Sequence, residues 1–447
     1  MNPSISRRRP SVALLTLGCA KNLLDSEQIA SLIEAAGARV VHSVDGCSVA
    51  VINTCGFIQP AREESVSAIL NAADHKQDGP LRTLIVTGCL GQRYGDQLAR
   101  ELPEVDVVTG VDPHRAAAAA LAALGPPWAV DPPSAWARQH RLTPRSWSYL
   151  RISYGCSNRC AYCAIPMIRG PLRSRPMGDL LAEARALVDN GVRELNVIGQ
   201  DTAAYGTDRS GRSEAHVLLR SLARLHGLTW LRLLYVHPAH VTDDLIDVIG
   251  GEPTVCPYID LPLQHASDAV LTRMRRRTDR AAIEKLVDKL RTRIRGVTIR
   301  TTFITGFPGE TDGNFQELLD FVNAMRFDRL GCFVFSREEG TAAAEMPDQV
   351  PEAIAQERLD ELMTTQQQIA FELAAARVGA RTAVLMEEEQ ARRLDGLRPA
   401  RSPHEAPDVD PLVYVEGDAP PTGEFVQVRV VGSMGYDCVA RVVEDTD

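Results

Sequence analysis

Three cysteines stand within eight residues, Cys156, Cys160 and Cys163, in the spacing Cys-x3-Cys-x2-Cys. Three thiolates so close together can bind three corners of an iron–sulfur cubane. An electron-transfer cluster takes four cysteines, and no fourth follows here, so one iron is left open. An open coordination position is the mark of a reactive metal centre. The competing reading is a zinc loop. Zinc sites pair two Cys-x2-4-Cys knuckles, and the sequence offers no second one.

A second set is dispersed. Cys19, Cys55 and Cys89 are separated, by their numbers, by 36 and 34 residues, about one strand–helix repeat each. Each closes a short apolar run and lies beside a glycine: Gly18, Gly56 or Gly88. If the runs are parallel strands, their carboxyl ends share one edge of a sheet, the edge where ligands bind. Any one of these cysteines alone would read as a buried structural residue. Three at the same topological position read as a second three-thiolate site, again with one iron open. Cys47, Cys256, Cys332 and Cys438 follow no such pattern and are expected in cores.

The elements that must position these thiols can be read from the alternation of apolar runs and helical stretches. Residues 11–125 give strands Val12–Leu17, Val49–Asn53, Leu84–Thr87 and Val105–Thr109. Helices at Ser26–Ala36, Ala61–Ala73, Asp96–Leu102 and the alanine run 116–123 separate them. This alternation predicts an α/β domain with a parallel sheet. Residues 126–146 hold five prolines and read as a linker. From Trp147, six more strands follow: Tyr149–Ser153, Leu195–Ile198, Leu231–Tyr235, Tyr258–Leu261, Ile299–Ile304 and Leu330–Phe335. They predict a partial (βα)6 barrel, because a closed eight-unit barrel runs to about 250 residues. A helical stretch, 352–378, ends this block. Residues 379–447 alternate short strands with Gly and Pro and predict a small antiparallel β-barrel.

Composition sets outer limits. The chain has 447 residues, 45% hydrophobic, enough for several cores, and a formal charge of −9, which is not the footprint of a general nucleic-acid binder. Ten cysteines in this length are too few for a secreted disulfide scaffold. Arg7, Arg8 and Arg9 before an apolar run and Gly18-Cys19-Ala20 imitate an export signal. The run is too short, Lys21 and Asp25 follow it, and no stretch reaches the roughly 18 apolar residues of a membrane span. No membrane association and a cytoplasmic location are expected.

The Cys156 spacing, with aromatic Tyr162 before the last cysteine, resembles the signature of radical S-adenosylmethionine (SAM) enzymes. The resemblance implies that SAM chelates the open iron and is cleaved by one electron to a 5′-deoxyadenosyl radical. The whole of residues 11–447 resembles the methylthiotransferases, and within them the branch that modifies ribosomal protein. The resemblance rests on Leu17-Gly18-Cys19-Ala20-Lys21-Asn22 with Asp25-Ser26-Glu27, Asn53-Thr54-Cys55-Gly56-Phe57-Ile58, and Gly88-Cys89-Leu90-Gly91-Gln92-Arg93-Tyr94. It continues in Ile165-Pro166 with Arg169-Gly170, Pro262-Leu263-Gln264-His265, and Phe303-Ile304-Thr305-Gly306-Phe307-Pro308-Gly309-Glu310-Thr311.

That resemblance implies two [4Fe-4S] clusters, on Cys19, Cys55 and Cys89 and on Cys156, Cys160 and Cys163, and two SAM molecules per turnover. It implies an N-terminal methylthiotransferase domain (11–125), a linker (126–146), a radical SAM domain (147–378) and a TRAM-like β-barrel (379–447). The implied substrate is the β-carbon of an aspartate on ribosomal protein uS12, free or on the small subunit. The implied electron donor is a protein such as flavodoxin or ferredoxin. Tyr162, Gln200, Asp201, Gln264 and Gly306 are the implied SAM contacts. No catalytic acid or base is expected beyond the clusters, since the C–H bond breaks homolytically.

Plainer readings stand beside these. Asp201 fits a helix N-cap, His265 a satisfied structural histidine, and Gly306-Phe307-Pro308-Gly309 a simple turn. Arg273, Arg275, Arg276, Arg277 and Arg280 fit either a solvated face or a seat for an anion. Two other functions compete: a tRNA adenosine methylthiotransferase, and a non-enzymatic iron–sulfur RNA-binding or assembly protein. Residues 377–447 carry eight basic and fourteen acidic side chains, a balance of −6. A barrel gripping tRNA phosphates should be basic, so a basic protein partner is expected, tRNA is not, and Asp408 and Asp410 are taken as docking carboxylates.

Overall fold

The computed structural model describes residues 9–126, 140–388, 394 and 396–443. Arg7 and Arg8 and most of the expected linker, including Pro127, Pro132 and Pro133, lie outside the described residues. The chain forms two compact units. The first runs to Leu142 and takes in Gly155–Ser157 and Ala164–Pro171. The second holds Thr143–Tyr154, Asn158–Cys163 and everything from Leu172 onward.

The first unit is built on strands β1 (Ser11–Thr16), β2 (Arg39–Val41), β3 (Val49–Thr54), β4 (Thr83–Gly88) and β5 (Val107–Val108). They pair in the order β2-β1-β3-β4-β5, all parallel. Alternation decides which face each side chain takes. Val12, Leu14, Val49 and Val51 pack with helices α1 (Ala20–Ala35) and α4 (Pro113–Ala123). Ala13, Ala50, Ile52 and Val86 pack on the other face with α2 (Gln59–Asp78) and α3 (Cys89–Glu101). Both faces are covered, so the central strands read as unbroken apolar runs. The edge strand β2 was not expected from the sequence. It has three residues and an exposed Arg39, too short and too polar for a periodic signal.

The second unit contains six parallel strands in sequence order: β6 (Trp147–Arg151), β9 (Glu194–Ile198), β10 (Trp230–Leu233), β11 (Val255–Asp260), β12 (Thr298–Thr305) and β13 (Arg329–Val334). A two-residue hairpin, β7 (Ser153–Tyr154) with β8 (Arg173–Ser174), interrupts the numbering. The expected six-stranded open barrel is thus observed. Leu150, Leu195, Val197, Leu231, Leu233, Ile259 and Ile299 point into a core shared with the covering helices. The residues between them, Tyr149, Glu194, Arg232, Tyr258 and Arg300, face the opposite, concave side.

Five strands close the C-terminal barrel: β14 (Arg381–Met386), β15 (Leu397–Arg401), β16 (Val413–Glu416), β17 (Phe425–Met434) and β18 (Asp437–Val442). Four ladders are antiparallel, and the pair β16–β18 is parallel. Strand β15 was not anticipated, because Leu-Arg-Pro-Ala-Arg has neither strand alternation nor strand composition.

The segment joining β15 to β16 enters the concave side of the six-stranded barrel. Arg401 donates to Glu194 at 2.6 Å and to Glu387 at 2.7 Å, and Arg232 donates to Glu194 at 3.2 Å and to the Pro403 carbonyl at 2.6 Å. All four charged groups are buried. Further along, His404 Nδ1 meets the Thr298 hydroxyl at 2.9 Å, and the Tyr149 hydroxyl donates to Asp408 at 2.9 Å. The Tyr258 hydroxyl donates to Asp410 at 2.6 Å. Asp408 is exposed, with one oxygen accepting from Tyr149. Asp410 is buried and fastens the barrel from within, so it is not the docking group expected from the sequence. Glu387 and Glu405 are turned inward in the same way, onto Arg401 and Arg377. Among the described residues 377–443, the charged side chains that are not buried are six acidic (Glu388, Asp408, Glu416, Asp418, Glu424, Asp437) and five basic (Arg377, Arg381, Arg398, Arg429, Arg441). The outward excess is smaller than the raw count implied.

Two measurable consequences follow from this internal fastening. Arg401→Met leaves buried Glu387 without its arginine and Glu194 with Arg232 alone, and removing one partner of a buried pair costs about 3–5 kcal/mol. Denaturant unfolding of the purified chain should show a loss of that order. His404, held neutral by burial, has its pKa pushed down to about 4. The unfolded imidazole takes a proton near pH 6.5 that the folded one refuses until about pH 4, so falling pH through this window favours unfolding. His404→Gln should flatten the stability–pH curve between about pH 6.5 and 4; an unchanged slope would show that the imidazole contributes nothing.

Candidate functional site

The register of the first sheet puts Thr16, Asn53 and Thr87 in one row across β1, β3 and β4. Cys19 follows that row by three residues, and Cys55 and Cys89 by two. The three dispersed thiols therefore meet at the carboxyl edge, as their spacing predicts. Cys19 is the N-cap of α1 and Cys89 the first residue of α3, where a helix leaves its first backbone N–H groups unpaired. Close packing demands glycine here. A Cβ on Gly18, whose φ is +89°, would lie 2.9 Å from the Cys55 Cβ, and one on Gly56 would lie 2.8 Å from the Leu90 backbone. Ser65 clamps Cys55, accepting from its N–H at 3.0 Å and donating to its carbonyl at 2.9 Å.

Burial pushes the Cys55 thiol up to about 11, and the nearby Cys89 and Cys19 add to the shift. Cys89 is also raised, by burial first, against the pull of Arg169. Two buried thiols that are costly to ionise as free anions, Cys55 and Cys89, stand beside the exposed Cys19, a set better suited to a cationic metal centre than to free thiolates. All ten cysteines are free of disulfides. The donor set fits an iron–sulfur cluster.

Polar side chains outside the expected ligand set surround this triad. Arg169, at the end of α5 (Ile165–Arg169), belongs to the same compact unit. It donates to Asp25 at 2.7 Å, to Asn22 at 2.6 Å and to the Cys89 sulfur at 3.5 Å. In the sequence this arginine is marked only by its place in Arg169-Gly170.

The loop after β7 carries the other triad. Cys156 belongs to the first unit, where its N–H donates to the Gly170 carbonyl at 3.0 Å. Cys160 and Cys163 belong to the second. There, Arg276 is buried, reaching the Cys160 sulfur at 3.8 Å and the Tyr162 hydroxyl at 3.5 Å. The Tyr162 ring stands edge-on to Phe307. Its hydroxyl is held protonated well above the usual tyrosine range, by burial and then by the Cys160 and Cys163 charges, against Arg276.

The carboxyl ends of the six strands hold most of the other expected residues. Asp201 caps no helix. Its buried carboxylate accepts from Asn158 at 2.8 Å and from His240 at 2.6 Å, and from the His237 N–H at 3.4 Å. Burial alone would raise its pKa, but His240, His237 and Asn158 overcome this and hold it low. Gln200 is half-buried beside it. Tyr235 and Gln264, at neighbouring strand ends, both adopt left-handed backbones, with φ of 60° and 77°, a strain that concentrates at functional sites. His265 is fully buried, accepting from the Ser267 N–H at 3.0 Å and lying 3.6 Å from Glu310. Its Nδ1 is satisfied, while its buried Nε2 makes no hydrogen bond. Gly306 is required by packing, since a Cβ there would sit 2.2 Å from the Ala355 Cβ.

A cavity of about 360 Å³ opens beside Cys160, lined by Asn158, Arg159, His237, His240 and Arg275–Arg277. The arginine run divides. Arg273 turns to the Pro347 carbonyl and Arg280 to Glu284, while Arg275 and Arg277 stay exposed on the cavity rim. Asp201, His237 and His240 are close enough to hold a metal ion. Burial and then the adjacent Arg276 push His237 down to about 3, and that guanidinium gives the cavity one wall suited to an anion.

Residues 11–110 match the model of an uncharacterised protein family, UPF0004, residues 150–322 that of the radical SAM superfamily, and residues 378–443 that of the TRAM domain. The chain is 44% identical to the ribosomal protein uS12 methylthiotransferase RimO of Citrifermentans bemidjiense, over 98% of this chain and 99% of that one. It is 44% identical to RimO of Anaeromyxobacter sp. (strain K), over 97% and 93%. With RimO of Geobacter sulfurreducens it shares 42%, over 98% and 100%. The chain belongs to the RimO methylthiotransferase family. Solved structures share the fold of this RimO-family chain at low identity. The radical SAM methyltransferase TsrM from Kitasatospora setae superposes with a TM-score of 0.54 at 14% identity, over 88% of this chain and 81% of TsrM. The cobalamin-dependent radical enzyme OxsB superposes with 0.51 at 13%, over 81% and 56%.

The close packing of Gly56 at the first edge yields a test. Gly56→Ala drives a Cβ into the Leu90 backbone, which has no flexible end to give way. The purified variant should retain roughly half the iron of the parent, all of it at the Cys156 triad. Full iron content would show that the close approach of Gly56 to α3 is unrelated to a metal.

Proposed function

We propose that the chain is a radical SAM methylthiotransferase that adds a methylthio group to the β-carbon of an aspartate on ribosomal protein uS12. The observation that carries this reading is the convergence of Cys19, Cys55 and Cys89 at one sheet edge, on a chain that also bears the Cys156 triad. Cys19, Cys55 and Cys89 hold one [4Fe-4S] cluster, and Cys156, Cys160 and Cys163 the other. When bound, SAM at the Cys156 triad would supply the 5′-deoxyadenosyl radical and a second SAM the methyl group, and the cluster on Cys19, Cys55 and Cys89 would hold the sulfur that is methylated and transferred.

The chain's own residues bind, orient and keep out water. Asp201 stays ionised and suits the ammonium of SAM. Arg276, fixed between Cys160, Tyr162 and the Pro262 carbonyl, keeps one wall of the cavity cationic for a carboxylate. Gln200, Gln264, Tyr162 and the bare backbone at Gly306 complete the SAM seat. No proton transfer by a side chain is required.

The working division is 11–125, linker 126–146, 147–378 and 379–447. The outward face of the C-terminal barrel is still slightly acidic, which favours a basic protein over tRNA. The chain works in the cytoplasm on uS12, free or in the small subunit, with electrons from a flavodoxin- or ferredoxin-like donor. Among the described residues, no helix is long and apolar enough to cross a membrane.

Anaerobic reconstitution should give about eight irons per chain, four per cubane. Replacing Cys156, Cys160 and Cys163 together with Ala should remove about half the iron and all 5′-deoxyadenosine formation. Cys55→Ala should keep SAM cleavage and lose methylthio transfer to uS12, read by mass spectrometry. Modified tRNA in place of modified uS12, or full product from Cys55→Ala, would overturn the proposal.

A further inference from the structure

We infer that Arg169 is a positioning residue for the cluster on Cys19, Cys55 and Cys89, fixing the Cys89 sulfur and raising the reduction potential of that cluster. The inference rests on the cluster assignment above and adds a residue that the assignment does not require.

Arg169 is almost wholly buried. One of its terminal nitrogens, Nη1, is taken by Asp25 at 2.7 Å. The other, Nη2, is shared between Asn22 Oδ1 at 2.6 Å and Cys89 Sγ at 3.5 Å. Asn22 cannot turn its amide away. Its Nδ2 donates to the Leu17 carbonyl at 3.0 Å and to the Thr54 carbonyl at 2.9 Å, so its oxygen is committed to the Arg169 side. Asn53 Nδ2 in turn donates to the Asn22 carbonyl at 2.8 Å and to Ser26 at 2.9 Å. The guanidinium is thus held at two points, and its remaining direction is the sulfur.

A thiol at Cys89 can donate to Asn22 Oδ1, which lies at 3.6 Å. A metal-bound thiolate has no proton to donate, and Asn22 then offers it only a lone pair. Arg169 becomes the side chain that answers its charge. A hydrogen bond from a cation to a cluster sulfur stabilises the more negative, reduced state. The plain alternative is that Arg169 only neutralises Asp25. That pairing needs a charge near Asp25, which Lys also provides. It does not need a planar fork that reaches Asn22 and Cys89 together.

The test uses the full-length chain with Cys156, Cys160 and Cys163 replaced by Ala, so that only this cluster reports. Arg169→Gln and Arg169→Lys are made in that background and titrated potentiometrically, with electron paramagnetic resonance as the readout. Arg169→Gln should shift the midpoint potential to more negative values, alter the spectrum, and weaken iron retention against a chelator on the order of tenfold. Arg169→Lys should restore stability and part of the potential, but not the parent spectrum. If both variants keep the parent potential and spectrum and lose only thermal stability, or if Arg169→Lys restores everything, Arg169 is a structural counter-charge and the inference fails. If the background protein holds no iron, the cluster assignment itself fails, and the inference with it.

Discussion

A parallel sheet brings the carboxyl ends of its strands to one edge, and the rest of this molecule depends on that constraint. Thiols that are 36 and 34 residues apart in the chain can share a metal only because Thr16, Asn53 and Thr87 stand in one row. The same rule gathers Gln200, Asp201, Tyr235 and Gln264 at the edge of the six-stranded sheet. Once the edge is fixed, the close contacts follow: glycines where two backbones approach, helix starts at Cys19 and Cys89, and left-handed turns at two adjacent strand ends. The βα repeat thus does the work that a short cysteine motif does elsewhere, at the price of needing the whole sheet to form first.

Much of this was legible in the residues. Apolar runs marked the central strands because they are buried on both faces, and the cysteines marked their ends. The six-stranded open barrel and a small C-terminal barrel were legible for the same reason. Strands Arg39–Val41 and Leu397–Arg401 were not, since a short edge strand and one containing Arg and Pro carry no period. The partners of the functional groups were also hidden. Asn158 and His240 meet at Asp201, Arg276 meets Cys160, and Arg169 meets Asp25, from elements far apart in the chain. No local pattern announces such meetings. Asp201 shows the limit well: its position suggested either a SAM contact or a helix cap, whereas its hydrogen-bond partners, Asn158, His237 and His240, come from other segments.

Counting charges along a sequence treats every carboxylate as if it faced water. In the C-terminal block, Glu387, Glu405 and Asp410 do not. They are acceptors for Arg401, Arg377 and Tyr258, and they say nothing about a partner's surface. Burying charge in this way is tolerable only when each group has more than one donor, because an uncompensated buried ion is costly. Glu194 illustrates this with two arginines, Arg232 and Arg401, on its two oxygens.

The segment that carries Pro403, His404, Asp408 and Asp410 into the concave side of the six-stranded barrel bears on ancestry. A small β-barrel on a tether can be gained, lost or exchanged by recombination at its boundary. This one cannot be exchanged so freely. Arg232, Tyr149 and Tyr258 are written into the strands of one domain, and their acceptors into a connection of the other. A recombinant that received a foreign barrel would inherit buried donors without acceptors. The two domains are therefore constrained to descend together, and substitutions at Tyr258 and Asp410 should be correlated across lineages.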